Sequence, residues 1–453
     1  MAAGQAVNVF VDPSKLTLLS ATATNATTVA TVTANNHGYA NSDTIKVQGA
    51  DQPEYNGNFV VTNVTANTFD YTMSADPGGA ATGTLKCAKL NLAGDDGTTD
   101  ALAYADLQYA VDNSTMSTGL QINLKSGSTN VLTKTFTGKS GSGVRDPFIV
   151  KGYDSQPDDG GIGVIDLGGQ YGISPSYAHN LFMNLKVGNT SGTAFPMTNN
   201  SDYTVIAGCE IHDALNGYSG SQSAAGGIFT GNYVHDITNV GASSGGNMST
   251  MITRNFFKNG DTKKFTTAVT TGNAGGHMVC DNLVYVDGST AGMWFTNGSG
   301  TNRSFVSGNS IFADGSTATG LIIASGNNGA GSYGINNIVE GFAVGISCGA
   351  LSSNEYGGLI NNTVSNCTTP YDAQSLSVFD GNETKTSSLF QGGALPSSDV
   401  FASDNALFWE SVYAWFTPVK SNVGAAYNAP VVDRGASQAE GEASYSLHPL
   451  AYN

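Results

Sequence analysis

The sequence predicts an all-β chain built on a parallel β-solenoid. Three observations predict it: a short strand-forming motif that recurs along the second half, the lack of helical periodicity between its copies, and an excess of glycine with a deficit of charge. Glycine is 58 of 453 residues, about 13% against a usual ~7%. Charged residues are 12%, about half the ~25% of an ordinary soluble domain. Hydrophobic residues reach 40%, enough for a sizeable core and too many for disorder. The glycines show no Gly-X-Y period, which excludes collagen. Lys+Arg is 18 and Asp+Glu 35, a net charge of -17. That balance argues against nucleic acid and against anionic membrane surfaces, because both need clustered cations. No apolar run approaches the ~20 residues of a membrane span.

The recurring motif is an Asn, any residue, then an aliphatic or aromatic residue. The copies are Asn184-Leu-Lys-Val187, Asn232-Tyr-Val-His235, Asn255-Phe-Phe-Lys258, Asn282-Leu-Val-Tyr285, Asn309-Ser-Ile-Phe312, Asn337-Ile-Val-Glu340 and Asn362-Thr-Val-Ser365. Cys209-Glu-Ile-His212 fits the same slot, with Cys for Asn. The intervals are 25, 23, 23, 27, 27, 28 and 25 residues. Each unit is too short to fold alone and alternates with period two, so each motif reads as a strand. Counting Asn as position 0, the +2 column is Lys186, Ile211, Val234, Phe257, Val284, Ile311, Val339 and Val364. All but Lys186 are apolar, so position +2 faces a core and the Asn column faces inward with it. Buried amides must be hydrogen-bonded, and at the ~4.8 Å strand spacing they can bond one another in a ladder. Gly, Ser and Asn between the strands suit corners that need positive φ.

With these features the sequence resembles the right-handed parallel β-helix superfamily, often called pectate-lyase-like, over residues about 90–380. Gly94-Asp-Asp-Gly-Thr-Thr99 followed by Tyr104-Ala-Asp-Leu-Gln-Tyr-Ala-Val111 looks like the family's entry, where a short amphipathic helix caps the first rung. Arg145-Asp-Pro-Phe-Ile-Val-Lys-Gly152 is similar to an early rung of that family, and Ala429-Pro-Val-Val-Asp-Arg-Gly435 to its closing motif. The resemblance implies a first strand at Val7-Asn-Val-Phe-Val-Asp12, within residues 1–14, and a β-helix over 89–384.

Between them, residues 15–88 alternate strongly: Thr27–Thr33, Asp43–Gln48, Asn58–Val64 and Phe69–Met73, the last two flanking a hairpin turn at Thr65-Ala-Asn-Thr68. This stretch is expected to be an inserted small antiparallel β domain, and its wording resembles small β domains of tailed-phage virion proteins. Residues 385–453 lose the Asn slot and concentrate aromatics at Phe408-Trp and Tyr413-Ala-Trp-Phe416. A solenoid must cover its last rung, so this tail is expected to be a C-terminal cap, with an oligomer or virion contact as the alternative.

Many relatives of this fold cut polysaccharides, and the resemblance implies a basic residue with calcium-binding carboxylates, or a carboxylate pair. The outward +3 column offers His212, His235 and Lys258 on successive rungs, followed by Asp213 and Asp236. Repeated His-Asp steps could bind a metal or a sugar, or be a solvated sheet face. Asp154, Asp158, Asp159 and Asp166 form an acidic cluster at a corner, able to supply oxygens to a calcium ion or simply a solvated turn. No other cofactor is expected. Tyr233 and Phe256 at +1, with Tyr285 and Phe312 at +3, could line a sugar-stacking strip, pack under a loop, or meet a neighbouring subunit. Lys258-Asn-Gly-Asp-Thr-Lys-Lys264 is a basic run in an acidic chain.

There is no Gly-x-Ser-x-Gly elbow, no His-Glu-x-x-His and no phosphate-binding loop, and the lyase signatures of the family are missing as contiguous motifs. Five scattered cysteines form no C-x-x-C pair and no disulfide framework, which fits a reducing compartment. The N-terminus shows no basic or apolar signal segment. The expectation is a non-enzymatic surface protein of a tailed-phage virion (a decoration, fibre or spike component), made in the host cytoplasm. Its expected partners are other virion proteins, host surface polysaccharide and further copies of itself, with a trimer among the options. The alternatives are a glycan-degrading tailspike-like lyase or hydrolase, and a bacterial surface adhesion protein.

Overall fold

A computed structural model describes residues 7–385, apart from 117–118, 140–146, 191–194, 221–225, 246–249, 261, 273–275, 289, 297–303, 325–331, 349–357 and 374–377. The tail expected as a cap lies, from residue 386 on, outside the described residues. The chain divides into two units, Met1–Met197 and Thr198–Asn453.

In the first unit, Val7–Val11 pairs in parallel with Leu120–Lys125, more than a hundred residues away. Leu120–Lys125 pairs in turn with Phe148–Tyr153, and that strand with Asn180–Met183. A second parallel ladder joins Thr129–Val131 to Gly163–Gly169 and that strand to Leu185–Thr190. The helix Leu107–Asn113 buries Leu107, Ala110 and Val111. Asp106 caps it, accepting the Tyr109 N–H at 2.8 Å and so satisfying one of the open donors of the first turn.

The long excursion between Val11 and the helix carries two antiparallel sheets. One orders Leu19–Ser20, Gly83–Lys89, Thr44–Ala50 and Gly57–Val60; the other Thr22–Ala26, Val29–Thr33 and Thr68–Thr72. Their alternating apolar residues meet in one cluster that includes Val32, Ile45, Val47, Tyr55, Phe69 and Tyr71. The turn at Thr65–Thr68 closes with the Thr65 N–H donating to the Thr68 carbonyl at 2.8 Å.

In the second unit each rung supplies a strand to three parallel faces. The first face runs Val205–Ala207, Gly227–Thr230, Thr250–Thr253, Met278–Cys280, Phe305–Ser307, Tyr333–Ile335, Gly358–Ile360 and Val378–Asp380. The second face holds the Asn-motif strands, among them Tyr233–His235, Phe256–Lys258 and Leu283–Asp287. The third includes Tyr218–Gly220, Val240–Ser244, Thr267–Thr271 and Ala291–Thr296. The described residues are therefore almost wholly β and built on a parallel β-helix, as periodicity and resemblance led one to expect.

The corner between the first and second faces explains the repeat. The residue before each inward Asn sits in the left-handed region: Gly231, Arg254, Asp281, Gly308, Asn336 and Asn361 all have φ between 56° and 67°. The next residue turns its amide inward. Asn232 Nδ2 donates to Asn255 Oδ1 at 2.9 Å, Asn255 to Asn282 at 3.0 Å, Asn282 to Asn309 at 3.0 Å, and Asn309 to Asn337 at 2.9 Å. Asn337 continues to Asn362 at 2.9 Å and Asn362 to Asn382 at 2.8 Å. Each amide also donates to a first-face carbonyl, as Asn282 does to Ile252 at 2.8 Å, and its oxygen accepts a backbone N–H from the rung before. These buried amides thus have donors and acceptors engaged, which is the condition for holding polar groups in a core. The +2 residues from Ile211 to Val364 are all buried beside them.

One copy of the motif is corrected. Asn184 has φ 52° and occupies the left-handed slot, one place earlier than its letters suggest. Leu185 and Val187 are the buried residues of that strand, and Lys186 is not an inward exception. Asn382, absent from the motif count because Thr384 replaces the apolar residue, joins the ladder.

The ladder makes a stability prediction. Asn282→Ala leaves two donors of Asn255 and the Ile252 carbonyl without partners in a dry core. At about 1–3 kcal/mol per unsatisfied buried group, softened by relaxation, the expected loss is about 3 kcal/mol. Chemical denaturation of the variant against the wild type measures it.

Candidate functional site

The Asn-motif strands place a polar face on successive rungs of the second unit. Glu210 and Ile211 pair with Tyr233 and Val234, and Tyr233, Val234 and His235 pair with Phe256, Phe257 and Lys258. Alternation turns positions +1 and +3 outward, which stacks the side chains of neighbouring rungs. The His212 and His235 rings lie 5.6 Å apart and 11° from parallel. Lys258 follows in the same column, in register with His235 and Tyr285.

Each histidine is held by the aspartate after it. His212 Nδ1 lies 2.8 Å from Asp213 Oδ2, and His235 Nδ1 lies 2.7 Å from Asp236 Oδ2. Both aspartates have φ 51°, the conformation that ends the strand and swings the carboxylate back to its neighbour. His235 has a second carboxylate: its Nε2 lies 3.1 Å from Glu210 Oε1, on the preceding rung. Lys263 Nζ reaches Asp213 at 3.2 Å.

The segment bearing Lys263 is fixed from below. Asn259 accepts the Phe265 N–H at 2.9 Å and donates to Asp287 at 2.7 Å, and Lys264 pairs with Asp287 at 2.7 Å. A Cβ on Gly260 would stand 1.8 Å from Asp236 Oδ1, so a larger residue there would displace the carboxylate that holds His235.

Burial disfavours a charged His235 ring, but the bonds to Asp236 and Glu210 outweigh it and raise its pKa above the ordinary value. The same bond to His235 lowers the pKa of Asp236, against its burial and the nearby Asp213 charge. Burial pushes Asp213 up, but His212 and Lys263 bring it below the usual carboxylate range. The imidazolium therefore persists above about pH 6.5, while Asp213 and Asp236 stay ionised at neutral pH. Because the folded pKa of His235 is raised, its contribution to stability is full below about pH 6.5 and is lost as pH rises through the folded value. Titration of His235 by NMR is expected to show a midpoint above about 6.5 that falls in Asp236→Asn.

The other expected residues are placed differently. Tyr233, Phe256 and Phe312 are 5%, 2% and 1% exposed, and Tyr285 is half-buried. They pack rather than form an exposed sugar-stacking strip; Tyr233 stacks on His235 at 4.1 Å between ring centres and on Phe256 at 5.4 Å. Alternation reports the direction of a side chain, not what lies over it.

The acidic corner of the first unit does not converge on one point. Asp159 accepts backbone N–H groups from Asp154, Ser155, Gln156 and Gly161 at 2.7–3.1 Å. Burial works against its charge, but those donors hold its carboxyl well below the usual range. Asp158 pairs with Lys151, Asp154 accepts from Ser126 at 2.6 Å, and Asp166 accepts from Gly168 and Asn189 at 2.7 and 2.8 Å. The four carboxylates are committed to local bonds, and among the described residues no group of three or more His, Cys, Asp or Glu is arranged to hold a metal ion.

The fold and this face define a parallel β-helix protein with a paired histidine–carboxylate surface on neighbouring rungs. No protein-family model and no curated protein matches the chain. Among solved structures, pectate lyase Pel9A is 12% identical, covering 69% of this chain and 84% of that one, with a TM-score of 0.41. The periplasmic alginate epimerase AlgG, as a double mutant, is 12% identical over 59% of this chain and 71% of its own, with a TM-score of 0.38. The catalytic unit of a thermostable GH87 alpha-1,3-glucanase from Streptomyces thermodiastaticus is 10% identical, covering 80% of this chain and 87% of that one, at 0.31. At these values the likenesses assign nothing to this chain, and its class rests on its own strand register.

Proposed function

We propose that this chain is a glycan-cleaving β-helix protein, the reading that stood second at the level of sequence. The observation that carries it is the joining of Glu210, His212, Asp213, His235, Asp236 and Lys263 on neighbouring rungs of one face. Their mutual pairing keeps His235 protonated and Asp213 ionised near neutral pH, so one face offers a proton donor beside a proton acceptor. His235, kept protonated by Asp236 and Glu210, is the proton donor: when the glycan binds, its Nε2–H exchanges the Glu210 carboxylate for the leaving oxygen and passes its proton there, while Nδ1–H stays on Asp236. Asp213, kept ionised by His212 and Lys263, is the acceptor that activates water. An acid and an ionised carboxylate together suit hydrolysis of a glycosidic bond. A flat face of parallel strands presents these groups in line to an extended polysaccharide.

A second reading, a virion surface protein that binds host polysaccharide without cutting it, rests on the resemblance of residues 15–88 to small β domains of tailed-phage virion proteins. One assay separates the two. The protein is incubated with a panel of neutral and uronate polysaccharides, and new reducing ends and unsaturated ends are measured. Hydrolysis gives reducing ends alone. Unsaturated ends would replace hydrolysis by elimination. Binding with no new ends would favour the virion reading.

A further inference from the structure

The excursion between Val11 and the helix Leu107–Asn113 holds a pocket of about 280 Å³. Leu19 and Lys89, each at the end of a strand, meet there the loop that joins Val29–Thr33 to Thr44–Ala50. That loop supplies His37 and Tyr39, whose ring centres lie 4.6 Å apart. His37 is 7% exposed, and its Nδ1 accepts the Tyr39 N–H at 3.0 Å. An imidazole that accepts at Nδ1 carries a hydrogen on Nε2. This buried Nε2 has no partner among the described residues. A buried donor left open is costly, so a ligand that brings an acceptor oxygen recovers that cost on binding.

We propose that this pocket binds one neutral hexose ring, a chain end or side branch of a glycan. Size, charge, polarity and wall chemistry select that ligand together. The volume lies just under the ~300–1,000 Å³ of ordinary small-molecule sites, room for one ring and not for a nucleotide or a peptide. The charge is balanced: Lys89 is the cation on the wall, and Asp43 holds it at 2.7 Å. A bound anion must compete with that carboxylate, and a bound cation meets the ammonium. The polar groups are donors beside acceptors: the His37 Nε2–H, the spare hydrogens of Lys89, the Thr17 hydroxyl and the Asn36 amide. Vicinal hydroxyls, each both donor and acceptor, match that set. The walls are apolar. Leu19 and Leu92 are aliphatic, and Tyr39 gives its hydroxyl to Cys87 Sγ at 3.5 Å, so its ring is what it offers a ligand. The C–H face of a sugar ring packs on such a surface. This binding does not rest on cleavage at the histidine face.

The test uses the full chain with free D-glucose, D-galactose, D-mannose and N-acetyl-D-glucosamine, and D-glucuronate as an anionic probe. NMR reads the histidine rings, and His37 is assigned by its contacts with the Tyr39 and Phe69 rings. At least one neutral sugar is expected to shift the His37 signals and to saturate with a Kd of about millimolar. The His235 signals in the same spectra report the histidine face separately, so failure of either reading is seen on its own. Thr17→Trp fills the pocket from an exposed position and is expected to weaken binding by about tenfold or more, with unchanged circular dichroism. His37→Phe keeps a ring but removes the donor, and is expected to abolish binding; Thr17→Trp carries the decision if that variant does not fold. No shift at His37 with any neutral sugar at about 100 mM overturns the proposal. So does equal binding by folded Thr17→Trp, which would place the sugar elsewhere. Binding of D-glucuronate alone overturns it in favour of an anion site at Lys89.

Discussion

Asp106→Ala is expected to destabilise the unit Met1–Met197 by about 3–5 kcal/mol, because it strands a buried ammonium. Lys46 and Asp106 are 1% and 2% exposed and lie 2.6 Å apart. Lys46 also donates to the Val131 carbonyl, and Asn58 donates to the other Asp106 oxygen at 3.1 Å. One carboxylate thus holds a lysine of the strand Thr44–Ala50, an asparagine of Gly57–Val60 and the first turn of the helix Leu107–Asn113. Removing one partner exposes the other to a full desolvation cost, whereas removing both charges does not. Lys46→Met combined with Asp106→Asn is therefore expected to be more stable than Lys46→Met or Asp106→Ala alone, since Asn still serves as a helix cap.

Acid should act at the same place. Burial raises the Asp106 pKa, but the Lys46 charge and hydrogen bond, with those of Tyr109 and Asn58, bring it below the ordinary value. A depressed carboxylate contributes stability that is present above its unfolded pKa, about 4, and is lost as pH falls through the folded value. Denaturation midpoints between pH 7 and pH 3 are expected to fall more steeply in the wild type than in the double variant.

The second large effect concerns the histidine face. His235→Ala and Asp213→Ala are each expected to lower the rate of glycan cleavage by about 10²–10⁴, the usual contribution of a positioned acid or base. Both side chains point away from the Asn ladder, so the fold should persist, with a modest loss of thermal stability: Ala replaces Asp213 at φ 51°, and His235→Ala removes a ring stacked on His212 and Tyr233. Asp236→Asn and Glu210→Gln act through His235; they are expected to lower the alkaline limb of the pH–rate profile and to reduce the rate less than His235→Ala. In the wild type the acid limb follows protonation of Asp213, below about pH 4, and the alkaline limb follows loss of the His235 proton, above about pH 6.5.

What the sequence made legible follows from what repeats. The Asn ladder was readable because every rung needs the same amide in the same slot, and the histidine column was readable because +3 positions align. Glu210 was not, since it reaches His235 diagonally, from +1 of one rung to +3 of the next, and no single-column reading pairs them. Lys263 stood out as a basic run, but only the Asn259 and Asp287 bonds show why it reaches Asp213. The Asn184 copy misled by its letters: the backbone slot is set by φ, and Asn suits the left-handed slot as well as the ladder. The four aspartates of the acidic corner left a calcium site and a solvated turn both open, because the sequence shows carboxylates gathered together while their separate partners are a matter of loop geometry.

The most direct test of the glycan-cleaving account is the chain length of a polysaccharide after incubation with wild type, His235→Ala and Asp213→Ala. Light scattering behind size exclusion reads it. The account predicts that at least one polysaccharide of the panel is shortened by the wild type, with new reducing ends, and keeps its length with either variant. Full chain length with the wild type on every polysaccharide, or equal shortening by both variants, would contradict it.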